Sequence, residues 1–240
     1  MDDAGLTLAR SELILGGQKS GKSRRAEMLA RDWMAQSTTH RVVLIATARA
    51  GDDEMRERIV RHQRDRAERV PGMTTVEEPL SLAQKIAQHS RADTLVVVDC
   101  LTLWLTNWLM PASPHPSPLP VGEGTGCATL VGQAGEGTDC ATLVVEAGAG
   151  ADCSLSLGER AGVRAPGLVE QLTALQEALH SAAGPIVLVS NEIGLGVIPI
   201  GAEVRAFVDA LGTLNQNVAV QCQRVTLMAA GLPLTLKEAQ

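Results

Sequence analysis

Eight residues, Gly16-Gly17-Gln18-Lys19-Ser20-Gly21-Lys22-Ser23, carry the spacing G-x-x-x-x-G-K-S. Glycines in such a run let backbone N–H groups turn inward and approach phosphate oxygens without a Cβ in the way. Lys22 is placed to reach the β and γ phosphates of a nucleoside triphosphate, and the Ser23 hydroxyl to ligate Mg²⁺. Further along, His62 stands in a run of arginines between Asp52 and Arg69. A neutral imidazole nitrogen can attack phosphorus, and guanidinium groups stabilise the charge that develops on the phosphoryl oxygens. Asp99 ends an apolar run, where a carboxylate can hold Mg²⁺ or its water. Taken alone, His62 also fits an ordinary charged surface helix, and Asp99 also fits a helix cap.

These groups need particular elements behind them. Leu13-Ile14-Leu15 reads as the end of a buried strand, and Arg24 to Gln36, free of Gly and Pro, as the helix after the loop. That strand–loop–helix order is the context a phosphate-binding loop requires. Arg41 to Thr47, Thr94 to Cys100 and Ile186 to Ser190 are continuous, β-branched apolar runs, the pattern of parallel strands buried on both faces. Asp52 to Arg69 reads as a helix with its acids first and its bases later, as the macrodipole favours, and with Met55, Ile59, His62 and Arg66 on one face. Leu80 to Ser90 and Leu101 to Met110 read as helices. Leu168, Leu172, Leu175 and Leu179 mark another, stopped by Gly184-Pro185. Asn191-Glu192 opens a Gly-rich loop at a strand's C-terminal end, the edge where open α/β sheets bind ligands. Ala202 to Cys222 reads as a helix interrupted at Gly212. Val225 to Ala230 reads as the last strand, with Leu232 to Leu236 continuing it past a bend. The expected fold class is α/β, a P-loop NTPase of the RecA-like kind with a mostly parallel central sheet flanked by helices.

Composition narrows the function. The chain has 240 residues, 45% hydrophobic and 20% charged, with a net charge of −6. That balance argues against a dedicated nucleic-acid binder. No apolar run approaches a membrane span, and the acidic start is no signal peptide, so the expected compartment is the cytoplasm. The stretch 112–166 differs from its flanks. It is rich in Gly, Pro, Ala and Ser and repeats with period 13, and three of the five cysteines owe their spacing to that repeat. They are therefore no evidence of a metal site or a disulfide framework. The reading is one domain over 11–240, preceded by a leader over 1–10 and interrupted at 112–166 by a disordered low-complexity insertion.

Taken together, the motifs resemble the bifunctional adenosylcobinamide kinase/adenosylcobinamide-phosphate guanylyltransferase family of cobalamin biosynthesis. The resemblance is carried by the P-loop, Ile45-Ala46-Thr47, Asp53-Glu54-Met55…Arg58-Ile59…His62…Arg66 and Glu77…Pro79. It continues in Asp99-Cys100-Leu101-Thr102…Trp104…Asn107, Asn191-Glu192…Gly194…Gly196…Pro199 and Arg205…Phe207…Asp209…Gly212…Asn215-Gln216. It covers 12–110 and 167–237. Departures are Met73, where the family often has Trp, Val208, where Arg is frequent, and Gln18-Lys19 inside the loop. The resemblance implies two reactions, phosphorylation of adenosylcobinamide by ATP or GTP, then transfer of GMP from GTP through a covalent His62 intermediate. It implies that Thr47, Ala48, Arg49, Gln63, Arg64, Asp65, Arg66, Glu77 and Asp99 lie around the nucleotide with Gly16 to Ser23. It also implies Mg²⁺ on Ser23 and Asp99, and a homotrimer. The residues by themselves leave a simple P-loop kinase or a non-catalytic nucleotide binder open. A GTPase switch is disfavoured, because no Asn-Lys-x-Asp motif occurs.

Overall fold

Four apolar runs too long and too β-branched to leave in water become adjacent strands of one sheet. The computed structural model describes residues 8–50, 53–110 and 167–238. Its strands are β1 (Ser11–Gly16), β2 (Arg41–Ala46), β3 (Thr74–Glu77), β4 (Thr94–Asp99), β5 (Ile186–Val189), β6 (Arg224–Ala229) and β7 (Leu232–Lys237). They form one sheet in the order β3-β2-β4-β5-β1-β6-β7. Every neighbouring pair is parallel except β6 and β7. The described helices are α1 (Lys22–Gln36), α2 (Asp53–Arg69), α3 (Leu82–His89), α4 (Leu101–Leu109), α5 (Leu168–Ser181) and α6 (Ala202–Gln221).

Alternation along the strands gives each face its own core. Leu13 and Leu15 of β1 join Val96 and Val98 of β4 under α3, α4, α5 and α6, around the fully buried Trp104. Ile14, Val97 and Val187 face the other way, under Leu29 and Ala30 of α1. The expected α/β P-loop class holds. β5 lies between β1, which leads into the loop, and β4, which ends at Asp99, so both strand ends open on the same edge.

Three expectations need correction. α6 runs unbroken through Gly212, because its buried stripe of Ala210, Leu211, Leu214 and Val218 outweighs the roughly 1 kcal/mol that a mid-helix glycine costs. Leu232 to Lys237 does not continue β6. It returns antiparallel beside it, through a turn in which Ala230 and Gly231 have φ of 51° and 81°. β3 was not expected, since only Val76 of its four residues is partly covered. Its backbone pairing with β2 makes it a strand. Part of the expected leader is anchored: the Arg10 guanidinium donates to the Ala182 carbonyl at 3.0 Å, and the Arg10 carbonyl accepts from the Ile186 N–H at 2.9 Å. Residues 1–7 and the insertion 112–166 lie outside the described residues. Among those described, no helix is long and apolar enough to cross a membrane.

Candidate functional site

β1 ends at Gly16 with φ of 147°. A Cβ there would lie 2.4 Å from the Met228 carbonyl oxygen and 2.6 Å from Ser20 Oγ, so the loop can leave the sheet only at a glycine. Its course is then tied by backbone bonds. The Glu192 N–H donates to the Gly16 carbonyl at 3.1 Å, and the Gly231 N–H to the Ser20 carbonyl at 3.0 Å. Gly21, with φ of 102°, starts α1, whose first turn has no side-chain cap. The uncapped N–H groups and the positive end of the helix dipole therefore face the loop.

Lys22 is buried. Its Nζ donates to the carbonyls of Gly16 at 3.0 Å and Gly17 at 2.7 Å. Burial lowers its pKa below the ordinary lysine value, against the opposing pull of Cys100 and Asp99. Nearby, the buried Ser20 hydroxyl has no hydrogen-bond partner. Gln18 and Lys19 are exposed on the outer turn. A buried ammonium and an unpaired hydroxyl behind a helix N-terminus suit an anion.

The strand tips supply the rest. Asp99 Oδ2 lies 3.4 Å from Arg66 Nη2, an ion pair that is mostly buried on both sides. The remaining donors of that guanidinium, Nε and Nη1, are buried without a partner. Such groups are rare because each forfeits a hydrogen bond it had in water. α4 carries no side-chain cap at Cys100, so Asp99 is not spent on capping. Thr47 is fully buried: its hydroxyl donates to the Cys100 carbonyl at 2.7 Å and accepts from the Cys100 N–H at 2.9 Å. Asn107 then holds the Thr47 carbonyl at 2.8 Å. Thr47 thus sets the strand tips from behind, while Ala48 and Arg49 extend outward from it.

α2 packs its inner face on this edge through charge. Besides Arg66, Arg69 Nη1 lies 2.9 Å from Oε2 of Glu27, a buried carboxylate of α1, and that bond raises the arginine's pKa. Asp65 lies 3.6 Å from the same guanidinium. His62 is half-buried, one turn before Arg66 and on its face. Gln63 donates to Glu77 at 3.3 Å, while Arg64 pairs with Glu68 in solvent on the outward side. The structure therefore groups the loop, Thr47, Arg66 and Asp99, holds Gln63 against Glu77, and turns Arg64 away.

Ser23 and Asp99 line one small cavity with Glu27 and Met73. A hydroxyl and a carboxylate are hard oxygen donors, and Mg²⁺ ordinarily takes only one or two protein ligands beside phosphates and water, so the pair fits that ion. No larger cluster of His, Cys, Asp or Glu that could hold a metal occurs among the described residues. Burial pushes the Cys100 and Cys222 thiols up to about 11 and about 12, so both stay protonated and inert at neutral pH. Glu27 escaped sequence reasoning. Its spacing from Ser23 puts it on the loop's side of α1, but nothing in the sequence pairs it with Arg69.

A glycine loop between a parallel strand and a helix, with a buried lysine and a strand-tip carboxylate on one edge, defines a P-loop α/β nucleotide-binding protein. The family model for cobinamide kinase / cobinamide phosphate guanyltransferase matches residues 12–236, and the chain belongs to that family of enzymes. It is 39% identical over 226 residues to the bifunctional adenosylcobalamin biosynthesis protein CobP of Pseudomonas aeruginosa, covering 94% of this chain and 96% of that one. To the bifunctional adenosylcobalamin biosynthesis protein CobU of Escherichia coli it is 27% identical over 225 residues, covering 94% and 98%. Among solved structures, the flagellar accessory protein FlaH of Methanocaldococcus jannaschii matches with a TM-score of 0.45 at 10% identity, covering 98% of this chain and 82% of that one.

Proposed function

We propose that the chain phosphorylates adenosylcobinamide with ATP or GTP and then transfers GMP from GTP to that phosphate through a covalent intermediate on His62. The observation that carries this reading is Arg66, whose buried, unpartnered Nε and Nη1 sit one helical turn from His62 and beside Asp99. Two orphaned guanidinium donors at that place call for a phosphate.

In the first reaction the acceptor hydroxyl oxygen attacks the γ-phosphorus and the nucleoside diphosphate leaves. Lys22, released from the Gly16 and Gly17 carbonyls, and the N–H groups of the loop take up the charge on the phosphoryl oxygens. In the second, a neutral ring nitrogen of His62 attacks the α-phosphorus of GTP and pyrophosphate leaves. A phosphate oxygen of the corrinoid then attacks the same phosphorus, the N–P bond breaks, and adenosylcobinamide-GDP departs. Arg66 stabilises both crowded phosphorus centres. Ala48, Arg49, Gln63, Asp65 and Glu77 surround the nucleotide, Thr47 fixes the strand tips, and Arg64 contributes at long range only. Mg²⁺, held by Ser23 and Asp99, would supply charge neutralisation on the phosphates. The same resemblance supports a homotrimer working in the cytoplasm.

The test is incubation with α-labelled GTP and Mg²⁺. The wild type is expected to acquire an acid-labile, base-stable label, and His62→Ala none, while His62→Ala keeps corrinoid kinase activity within about threefold, since the loop is untouched. Equal labelling of His62→Ala would remove the role given to this residue.

A further inference from the structure

The loop, His62 and the strand tips account for the nucleotide. They leave unused the motif residues from Glu192 to Gln216, although these carry much of the family resemblance. The fold brings nine of them, from Glu192 and Gly194 on the loop to Asn215 and Gln216 on α6, onto the wall of one cavity of about 1270 Å³. It lies between α6, the loop after β5 and the β6–β7 hairpin, with Leu15 and Val225 in its lining.

We propose that this cavity is the acceptor site, and that it takes a large amphipathic ring edged with amides, the corrin of cobinamide, with the hydroxyl-bearing arm turned to the P-loop. The inference rests on the function proposed above for the substrate's identity. Four observations support it independently of that identity.

The first is continuity with the phosphate cradle. Glu192, at the cavity, donates its N–H to the carbonyl of Gly16, the first residue of the loop. Leu15 is the residue before it. A hydroxyl carried from this cavity therefore starts beside the first residue of the loop.

The second is the chemistry of the lining. Asp209 and Gln216 present exposed polar ends across an apolar floor, while Arg205 ties the loop to α6 by donating Nη1 to the Pro199 and Ile200 carbonyls. Asn215 Nδ2 donates to the Asn191 carbonyl at 3.0 Å, which can only accept and so fixes which way the amide lies. Its Oδ1 is buried and without a partner. An apolar pocket with a few convergent polar groups is the usual design for a ligand with apolar faces and a polar edge.

Third, the rim is apolar and uncovered. Leu195, Val197 and Ile198 are 79%, 95% and 78% exposed. A flat ring laid on the cavity would shield them. A second cavity, on α2, is smaller, about 550 Å³, and lined by Val60 and six charged residues between Arg56 and Glu68. That is a solvated charged surface.

Fourth, Gly212 lies mid-helix on this wall. A Cβ there would meet nothing within 4 Å. Glycine is thus not required by the helix, which would gain about 1 kcal/mol from alanine. What glycine provides is width in the cavity.

That last point supplies a clean variant, because Gly212→Leu narrows the cavity from a position where an added Cβ meets nothing within 4 Å. Binding of cobinamide as its adenosyl form, the acceptor proposed above, is to be followed by equilibrium dialysis and by the corrinoid's visible absorbance, with labelling by α-labelled GTP and sedimentation mass measured on the same samples. Gly212→Leu is expected to weaken cobinamide binding by about tenfold or more, equivalent to about 1.4 kcal/mol. Gln216→Ala, on the surface of the same wall, is expected to weaken it about threefold, the loss of one hydrogen bond. Both should take the GTP label within about twofold of wild type, as the nucleotide site lies elsewhere. Wild-type affinity for cobinamide in both variants overturns the proposal. So does a change in sedimentation mass with cobinamide binding intact, which would make the cavity a seat for a second copy of the chain. If instead the wild type takes neither label nor cobinamide, the function proposed above falls, and this site with it.

Discussion

The P-loop and α2 face each other across one sheet edge, yet they are held by different forces. The loop's path is written in backbone: Gly16 at φ of 147°, Gly21 at 102°, and N–H bonds from Glu192 and Gly231. α2 is dominated by charge and is fastened by two ion pairs, Arg66 with Asp99 and Arg69 with Glu27. Backbone geometry is indifferent to salt and intolerant of a single methyl group. Ion pairs tolerate changes of shape and respond to ionic strength. This member of a kinase/guanylyltransferase family thus has a rigid cradle and a helix fastened by charge, and the two can be broken separately.

The largest effect is expected at the cradle. Gly16→Ala places a Cβ 2.4 Å from a backbone oxygen of β6, in a conformation L residues rarely adopt. A clash with backbone cannot be relieved by a rotamer change, so the loop or the β1–β6 contact must shift. Both kinase activity and GTP labelling should fall by about a hundredfold or more, about 2.7 kcal/mol at the transition state. Thermal unfolding should shift down, since strain of this kind costs of order 1–3 kcal/mol. Activities that stay within threefold of wild type would show that the cradle is not set by its backbone.

A smaller and one-sided effect is expected at α2. Glu27→Gln keeps the shape of the buried side chain and removes the charge that holds Arg69. Because Arg69 is half in water, the stability cost should be about 1 kcal/mol, well short of a fully buried pair. If His62 is the nucleophile proposed above, labelling by α-labelled GTP should drop about tenfold, since a helix misplaced by about an ångström loses the geometry of attack. Kinase activity should fall less than labelling, since Glu27 also lines the cavity of Ser23 and Asp99 but is not one of the two oxygen donors assigned to the ion. In the wild type, rising salt should lower labelling more than kinase activity, and Glu27→Gln should lose much of that difference. Equal losses in both activities would mean that Glu27 serves the loop rather than the helix.

The two regions also differed in what the sequence disclosed. The loop was legible because its chemistry is local: glycine spacing, an apolar strand before it and a helix after it all lie within about 25 residues of each other. The buried strands were legible for the same reason, each a continuous run. The inner face of α2, with Ile59, His62 and Arg66, followed from helical spacing. Its fastening did not, because Arg66 meets Asp99 33 residues away and Arg69 meets Glu27 42 residues away. β3 was hidden because an edge strand needs no apolar run when its neighbour supplies the ladder. The direction of β7 depended on two positive-φ residues that composition does not reveal. At Gly212 a local rule was over-read. Glycine lowers helix propensity, but four buried side chains decided the matter.

The smallest effect tests the cradle by pH. Burial lowers the pKa of Lys22 below its ordinary 10.5, so at neutral pH the folded protein carries a charge that it holds less willingly than the unfolded chain does. As pH rises through the lowered value, the folded state releases that proton while the unfolded state still binds it. Stability from this group therefore rises with pH, and the gain is complete above 10.5. Cys100 and Cys222 act in the opposite sense. Burial raises their pKa values from 9.0 to about 11 and about 12, so the stability they contribute is lost as pH climbs above 9.0. Cys222 contributes alike to wild type and Lys22→Met and cancels in the difference, while Lys22 lowers the Cys100 pKa, so its removal pushes that thiol further up and Cys100 stays protonated in both folded proteins below about 11. Arg69, raised further by Glu27, does not titrate in this range. Urea unfolding of both proteins from pH 7 to 10.5 should thus show wild type gaining on Lys22→Met once pH rises through the lowered Lys22 value towards 10.5. A difference that is flat with pH would mean that the Lys22 ammonium is as well accommodated by the Gly16 and Gly17 carbonyls as by water, and that the cradle carries no penalty for a phosphate to relieve.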